Sequence, residues 1–148
     1  MLRPGLQLFI DFLLKRFWVG IMPERTLTPV LQLVVCNINI DLYQHLLFIY
    51  DRRWCYEDLK IVHPFEPNCG LFTKPFSSID VDFDHDNVIL IDETPDKAKY
   101  NPPGSCIKAP GFEEGEDETF FERLKLYLGN LYWFQGRALD YVWSNYLN

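Results

Sequence analysis

Short apolar runs of strand length, alternating with stretches of helical periodicity, predict one α/β domain: a parallel sheet with helices on its faces. Three observations carry that expectation. Residues 18–22, 46–50 and 88–91 are continuous apolar or aromatic runs that stop at Pro23, Asp51 and Asp92. Leu6, Phe9, Ile10, Leu13 and Leu14 recur at helical spacing near the start, as do Leu139, Val142, Trp143 and Tyr146 near the end. No repeat or linker divides the chain, and 148 residues at 48% hydrophobic supply one real core, so residues 1–148 form a single domain.

The elements follow in order. Pro4 and Gly5 open the first helix, and residues 18–22 form a strand closed by Pro23. Thr28-Pro29 is an N-cap with proline at the first helical position, which predicts a helix to about Val35. Residues 37–44 show no clear period. A second strand at 46–50 ends at Asp51, ahead of Arg52 and Arg53. Residues 57–86 hold Pro64, Pro67, Gly70 and Pro75 and are expected to be mostly loop. Residues 88–91 are the third strand, and 105–109, bracketed by Gly104 and Pro110, the fourth. The acidic stretch 111–118 suits a helix start, where the macrodipole favours carboxylates, and that helix is expected to run to about Leu128. A last helix is expected over 137–146.

Net charge is −7, and no basic stripe offers itself to phosphates, which argues against nucleic acid as a direct partner. Cys36, Cys55, Cys69 and Cys106 lack any CxxC spacing, so reduced thiols in a nuclear or cytoplasmic protein are expected. The apolar run at 6–14 is broken by Asp11 and followed by Lys15-Arg16. It is too short to span a bilayer and reads as an amphipathic core helix, with no transmembrane segment.

The most informative segment is Val88-Ile-Leu-Ile-Asp92-Glu93-Thr94-Pro95. A buried strand delivers two carboxylates to its carboxyl end, where parallel sheets place ligands and where oxygens suit a hard cation. The plainer reading makes Asp92 a cap for local N–H groups. Upstream, Asp82, Asp84, Asp86 and Glu93 fit positions one, three, five and twelve of a calcium loop, with Asn87 where glycine belongs. Pro75 and the uniformly apolar 88–91 oppose that, leaving a solvated acidic loop. His45, His63 and His85 stand isolated and are expected on loops or the surface. Trp133-Phe134, Trp143 and Tyr146 could face a partner, but helical spacing favours core packing.

With Lys97-Ala98 and Asn101-Pro102-Pro103 behind it, this segment resembles the fourth motif of haloacid-dehalogenase-type phosphatases. The branch is that of the RNA polymerase II C-terminal-domain phosphatases and NLI-interacting-factor-like proteins. Arg3-Pro4-Gly5, then 19–22 with Arg25-Thr26, resemble further family segments. So do Phe48-Ile49-Tyr50-Asp51 with Cys55, as in plant-type members, Lys74-Pro75, and the tail containing Tyr127-Leu128 and Leu139-Asp140-Tyr141-Val142.

The resemblance implies a three-layer haloacid-dehalogenase-like Rossmannoid sheet and magnesium-dependent hydrolysis of phosphoserine or phosphothreonine. It also implies a nucleophile motif, Asp-x-Asp-x-Thr, on a central strand a few tens of residues before Arg3-Pro4-Gly5. Met1 stands only two residues before that segment. The expectation is therefore an N-terminally truncated domain lacking its central nucleophile strand, a pseudophosphatase with no catalytic residue to assign. The second motif's hydroxyl falls on Pro23, and the third motif's charge-neutralising lysine on Ile79, within Ser78-Ile79-Asp80. Asp92 and Glu93 remain as a weak magnesium site. The strands at 18–22 and 88–91 would flank the missing one. They would pair directly, accept a partner's strand, or belong to an incomplete sequence.

The function expected is that of a catalytically incomplete phosphatase-like domain, either a non-enzymatic remnant or a module that binds a protein partner. One alternative is a magnesium-dependent serine/threonine phosphatase whose first motif lies upstream. The other is a non-catalytic subunit of the mitochondrial inner-membrane translocase, with its transit sequence upstream.

Overall fold

The computed structural model describes residues 4–24, 44–111 and 119–147. Helix α1 (Leu6–Leu14) begins after Gly5, whose φ of 81° is left-handed backbone that a Cβ would strain. Strand β1 (Gly20–Ile21) pairs in parallel with β2 (Phe48–Ile49), Gly20 opposite Phe48. The Phe48 ring lies so close over Gly20 that a Cβ there would meet it at 2.2 Å. β3 (Tyr56–Val62) and β4 (Gly70–Thr73) form an antiparallel hairpin with a register shift between Asp58 and Val62. β5 (Leu90–Asp92) pairs in parallel with β6 (Cys106–Lys108). α2 (Phe120–Trp133) and α3 (Ala138–Ser144) close the described chain.

The result mixes helices with small sheets, two parallel pairs and one antiparallel hairpin. Among the described residues no ladder joins β1 to β5, so direct pairing, one of the three outcomes left open, does not occur there. The helix expected over 28–35 and nearly all of 37–44 lie outside the described residues, as do Cys36 and most of the acidic stretch 111–118. No helix among the described residues is long and apolar enough to cross a membrane.

Residues 57–86 are mostly loop and short turns, as expected, but they also hold the hairpin, which was not expected. The proline count pointed away from it, and β3 hides its identity: its one fully inward side chain is a carboxylate, Asp58, and the bulge breaks any two-residue alternation.

The core sits where α1 and α2 cover the β5–β6 pair. Phe9, Ile107, Phe120, Leu124, Tyr127, Leu128 and Leu131 are buried together, with Ile89 and Ile91 against them. The inward residues of α2 recur every three or four positions, as an amphipathic helix requires. Trp133 is two residues past Leu131, on the opposite side of the helix, and is 80% exposed. Phe134, Trp143 and Tyr146 are exposed too, so the core packing expected of these four aromatics does not occur. Leu139 and Val142 take the inward positions of α3 instead.

Asp58 ties the hairpin to the chain beyond β5. It accepts the Tyr100 hydroxyl at 2.8 Å, the Lys99 ammonium at 3.0 Å and the Lys60 N–H at 3.0 Å. These donors, the Tyr100 hydroxyl first, hold its carboxyl down at about 2. A carboxyl depressed by folding stabilises the native state above its unfolded value and loses that contribution as acid protonates it. The stability gap between the native chain and Asp58→Asn is expected to be full above about pH 4 and to close as pH falls toward about 2. Thermal melts of both proteins across that range check it; a gap that widens in acid refutes it.

Candidate functional site

The site is an ion network at the carboxyl ends of β1 and β5, where four segments separated in sequence converge. Asp92 ends β5, and its Oδ1 accepts the Thr94 N–H at 3.0 Å, an Asx turn that starts the 3-10 turn Pro95–Ala98. Its Oδ2 accepts the Lys74 ammonium at 2.6 Å, and the Lys97 ammonium lies 3.8 Å from Oδ1. Lys97 makes its nearer contact, 2.8 Å, with Glu24 Oε2 just beyond β1. The other oxygen of Glu24 meets His63 Nε2.

Backbone geometry explains why both lysines arrive together. The Lys74 N–H donates to the Lys97 carbonyl at 2.7 Å, tying the end of β4 to the turn after β5. Asn101 then clamps the Lys74-Pro75-Phe76 backbone: its Oδ1 accepts the Phe76 N–H at 2.7 Å and its Nδ2 donates to the Lys74 carbonyl at 2.9 Å. The buried Asn101 of the Asn-Pro-Pro segment thus sets the direction of Lys74.

Two carboxylates and two ammonium groups balance within the network. Burial works to raise the Asp92 carboxyl, yet the charge and hydrogen bond of Lys74, the Thr94 N–H and the charge of Lys97 outweigh it and hold it low. Glu24 behaves likewise: burial raises it, and Lys97 and His63 pull it below the ordinary value. Neighbouring Cys106 is pushed up to about 11, by burial first and then by the Asp92 charge, so its thiol stays protonated.

Of the residues singled out in the sequence, Asp92 is central and Pro23 adjoins the network through Glu24. Glu93 is exposed and outside it. Pro23 offers its carbonyl, 3.8 Å from Cys55 Sγ. Ile79 lies past the 3-10 turn Phe76–Ser78 and takes no part. The ammonium that reaches Asp92 is that of Lys74, whose backbone is held by hydrogen bonds to Lys97 and Asn101. His63 lies on a loop, as expected, just past β3, but it is buried there and not at the surface. The acidic run is spent locally: Asp84 caps the 3-10 turn His85–Asn87, and Asp86 pairs with Arg137 at 2.8 Å.

Sequence reasoning missed Lys97, Glu24 and His63. Only the Asp92–Lys97 spacing was visible, since Glu24 and His63 meet through the fold. Cys55, Cys69 and Cys106 are free thiols. Magnesium, which the resemblance implies, does not fit these residues as arranged. Both Asp92 oxygens are engaged, an ammonium stands on each side, and no cluster of three suitable ligands occurs among the described residues.

Compared with protein families, residues 1–137 match the model described as NLI interacting factor-like phosphatase. No curated protein matches the chain.

Proposed function

Because the chain belongs to the NLI interacting factor-like phosphatase family, we propose that it is a phosphatase-derived domain that binds a protein partner and does not itself hydrolyse phosphate. One observation carries this reading: Asp92, the acid of the fourth motif, has both oxygens committed to Lys74 and Thr94 within a balanced network. Phosphoryl transfer needs positioned charge aimed at the transferred group, and here that charge is spent internally. In this reading the two parallel pairs are parts of one haloacid-dehalogenase-like three-layer sheet. Each of β1 and β5 has one edge without a partner among the described residues, which supports reception of a strand from another chain.

Lys74 also favours a second reading. A lysine 2.6 Å from the fourth-motif acid is a charge-neutralising group that the sequence alone had counted as lost. It suits a magnesium-dependent serine/threonine phosphatase whose Asp-x-Asp-x-Thr strand is encoded upstream. An assay of this chain tests the first reading, and the same assay on a chain extended upstream to that strand tests the second. With magnesium and p-nitrophenyl phosphate, the 148-residue chain is expected to turn over no faster than Asp92→Asn. Magnesium-dependent turnover that Asp92→Asn abolishes would refute the non-catalytic reading.

A further inference from the structure

His63 is a buried group at this end of the molecule that neither reading uses, and its partners fix which ring nitrogen carries the hydrogen. It is 7% exposed, at the end of β3. Its Nδ1 accepts two backbone N–H groups, from Phe65 at 3.1 Å and Glu66 at 3.0 Å. A nitrogen that accepts carries no proton, so the ring's hydrogen is on Nε2, the atom that meets Glu24 Oε1. Both ring nitrogens are thus engaged by groups of the protein itself. The ring can hold Glu24 in place.

We infer that His63 is a positioning residue: as the Nε2–H tautomer it fixes the Glu24 carboxylate, and Glu24 holds Lys97 just short of contact with Asp92. The distances give the sense of the device. Lys97 is 2.8 Å from Glu24 and 3.8 Å from Asp92, so Glu24 has the ammonium and Asp92 is left to Lys74. Arg52 braces the same arm, donating to the Glu24 carbonyl at 3.2 Å and pairing with Glu66 of the hairpin turn at 3.4 Å. The β3–β4 turn is thereby linked, through His63, to the ends of β1 and β5. The inference rests on the reading that the Asp92 end of the sheet is the functional site.

The test uses the full chain and nuclear magnetic resonance. Long-range proton–nitrogen correlation of the imidazole is expected to show a protonated Nε2 and a bare Nδ1. An Nδ1–H tautomer, or an imidazolium at neutral pH, overturns the inference. Two substitutions then split the ring's contacts. His63→Asn keeps an acceptor near Nδ1 for the turn but no donor at the Nε2 position; His63→Gln does the reverse. The slowly exchanging ammonium resonance of Lys97 is expected in the native chain and in His63→Gln, and to be lost in His63→Asn. If His63→Asn retains it, His63 only supports the turn and the inference falls; loss in His63→Gln overturns it equally. Should His63→Asn not fold, Glu24→Gln replaces it. Loss of the downfield His63 Nε2–H resonance together with that of Lys97 supports the inference, and survival of either refutes it. None of these signals depends on turnover. Asp92-dependent hydrolysis would remove the proposed function and leave this inference standing.

Discussion

Lys74→Met is expected to destabilise the folded chain by about 3–5 kcal/mol, the cost of leaving a buried carboxylate without its partner. Asp92 has a side chain only 9% exposed, and its remaining cation, Lys97, is 3.8 Å away and engaged with Glu24. A loss of that size is a large part of the ~5–15 kcal/mol that holds a typical domain together. Urea unfolding of the native and substituted chains measures it. A double substitution, Lys74→Met with Asp92→Leu, is expected to recover most of the loss, because it removes both charges and fills the site with apolar volume. If Lys74→Met alone costs less than about 1 kcal/mol, the pair behaves like a surface salt bridge and the network is not the buried one described.

Asn101→Ala is expected to cost nearly as much by a different route. Its amide satisfies the Phe76 N–H and the Lys74 carbonyl, both inside the fold. Each buried group left unpaired costs about 1–3 kcal/mol, so the pair amounts to roughly 2–6 kcal/mol at most, less wherever water reaches them. The substitution also has a positional consequence. Without the clamp the Lys74-Pro75-Phe76 backbone loses its fixed direction, so Lys74 should leave Asp92. Unfolding by urea gives the energy, and the proton–nitrogen signal of the Lys74 ammonium reports its position. An unchanged Lys74 signal would show that the Lys97 carbonyl alone aims this lysine.

The sequence read well where chemistry is local. Asp92 falls at the end of a strand because an apolar run feeds a turn that Pro95 stops. All four expected strands occur, three from apolar runs and one bracketed by Gly104 and Pro110, each shorter than expected: an apolar residue can pack against a neighbour without joining a ladder. The hairpin stayed hidden because β3 turns a carboxylate inward and carries a bulge. The exposed aromatics misled for a related reason. Helical spacing says which residues share a face, but the position of Leu131 and Val142 decides which face is covered.

By itself the amino-acid order determined the family, the helix–strand alternation and the one acid at the head of the site. Those depend on neighbours along the chain, whose chemistry is written side by side. Only the tertiary structure decided that Lys74 meets Asp92, that His63 is buried, and that Glu24 shares Lys97 with Asp92. These pairings join residues far apart in sequence, and a charge carries no record of which distant partner will neutralise it until the backbone brings them together.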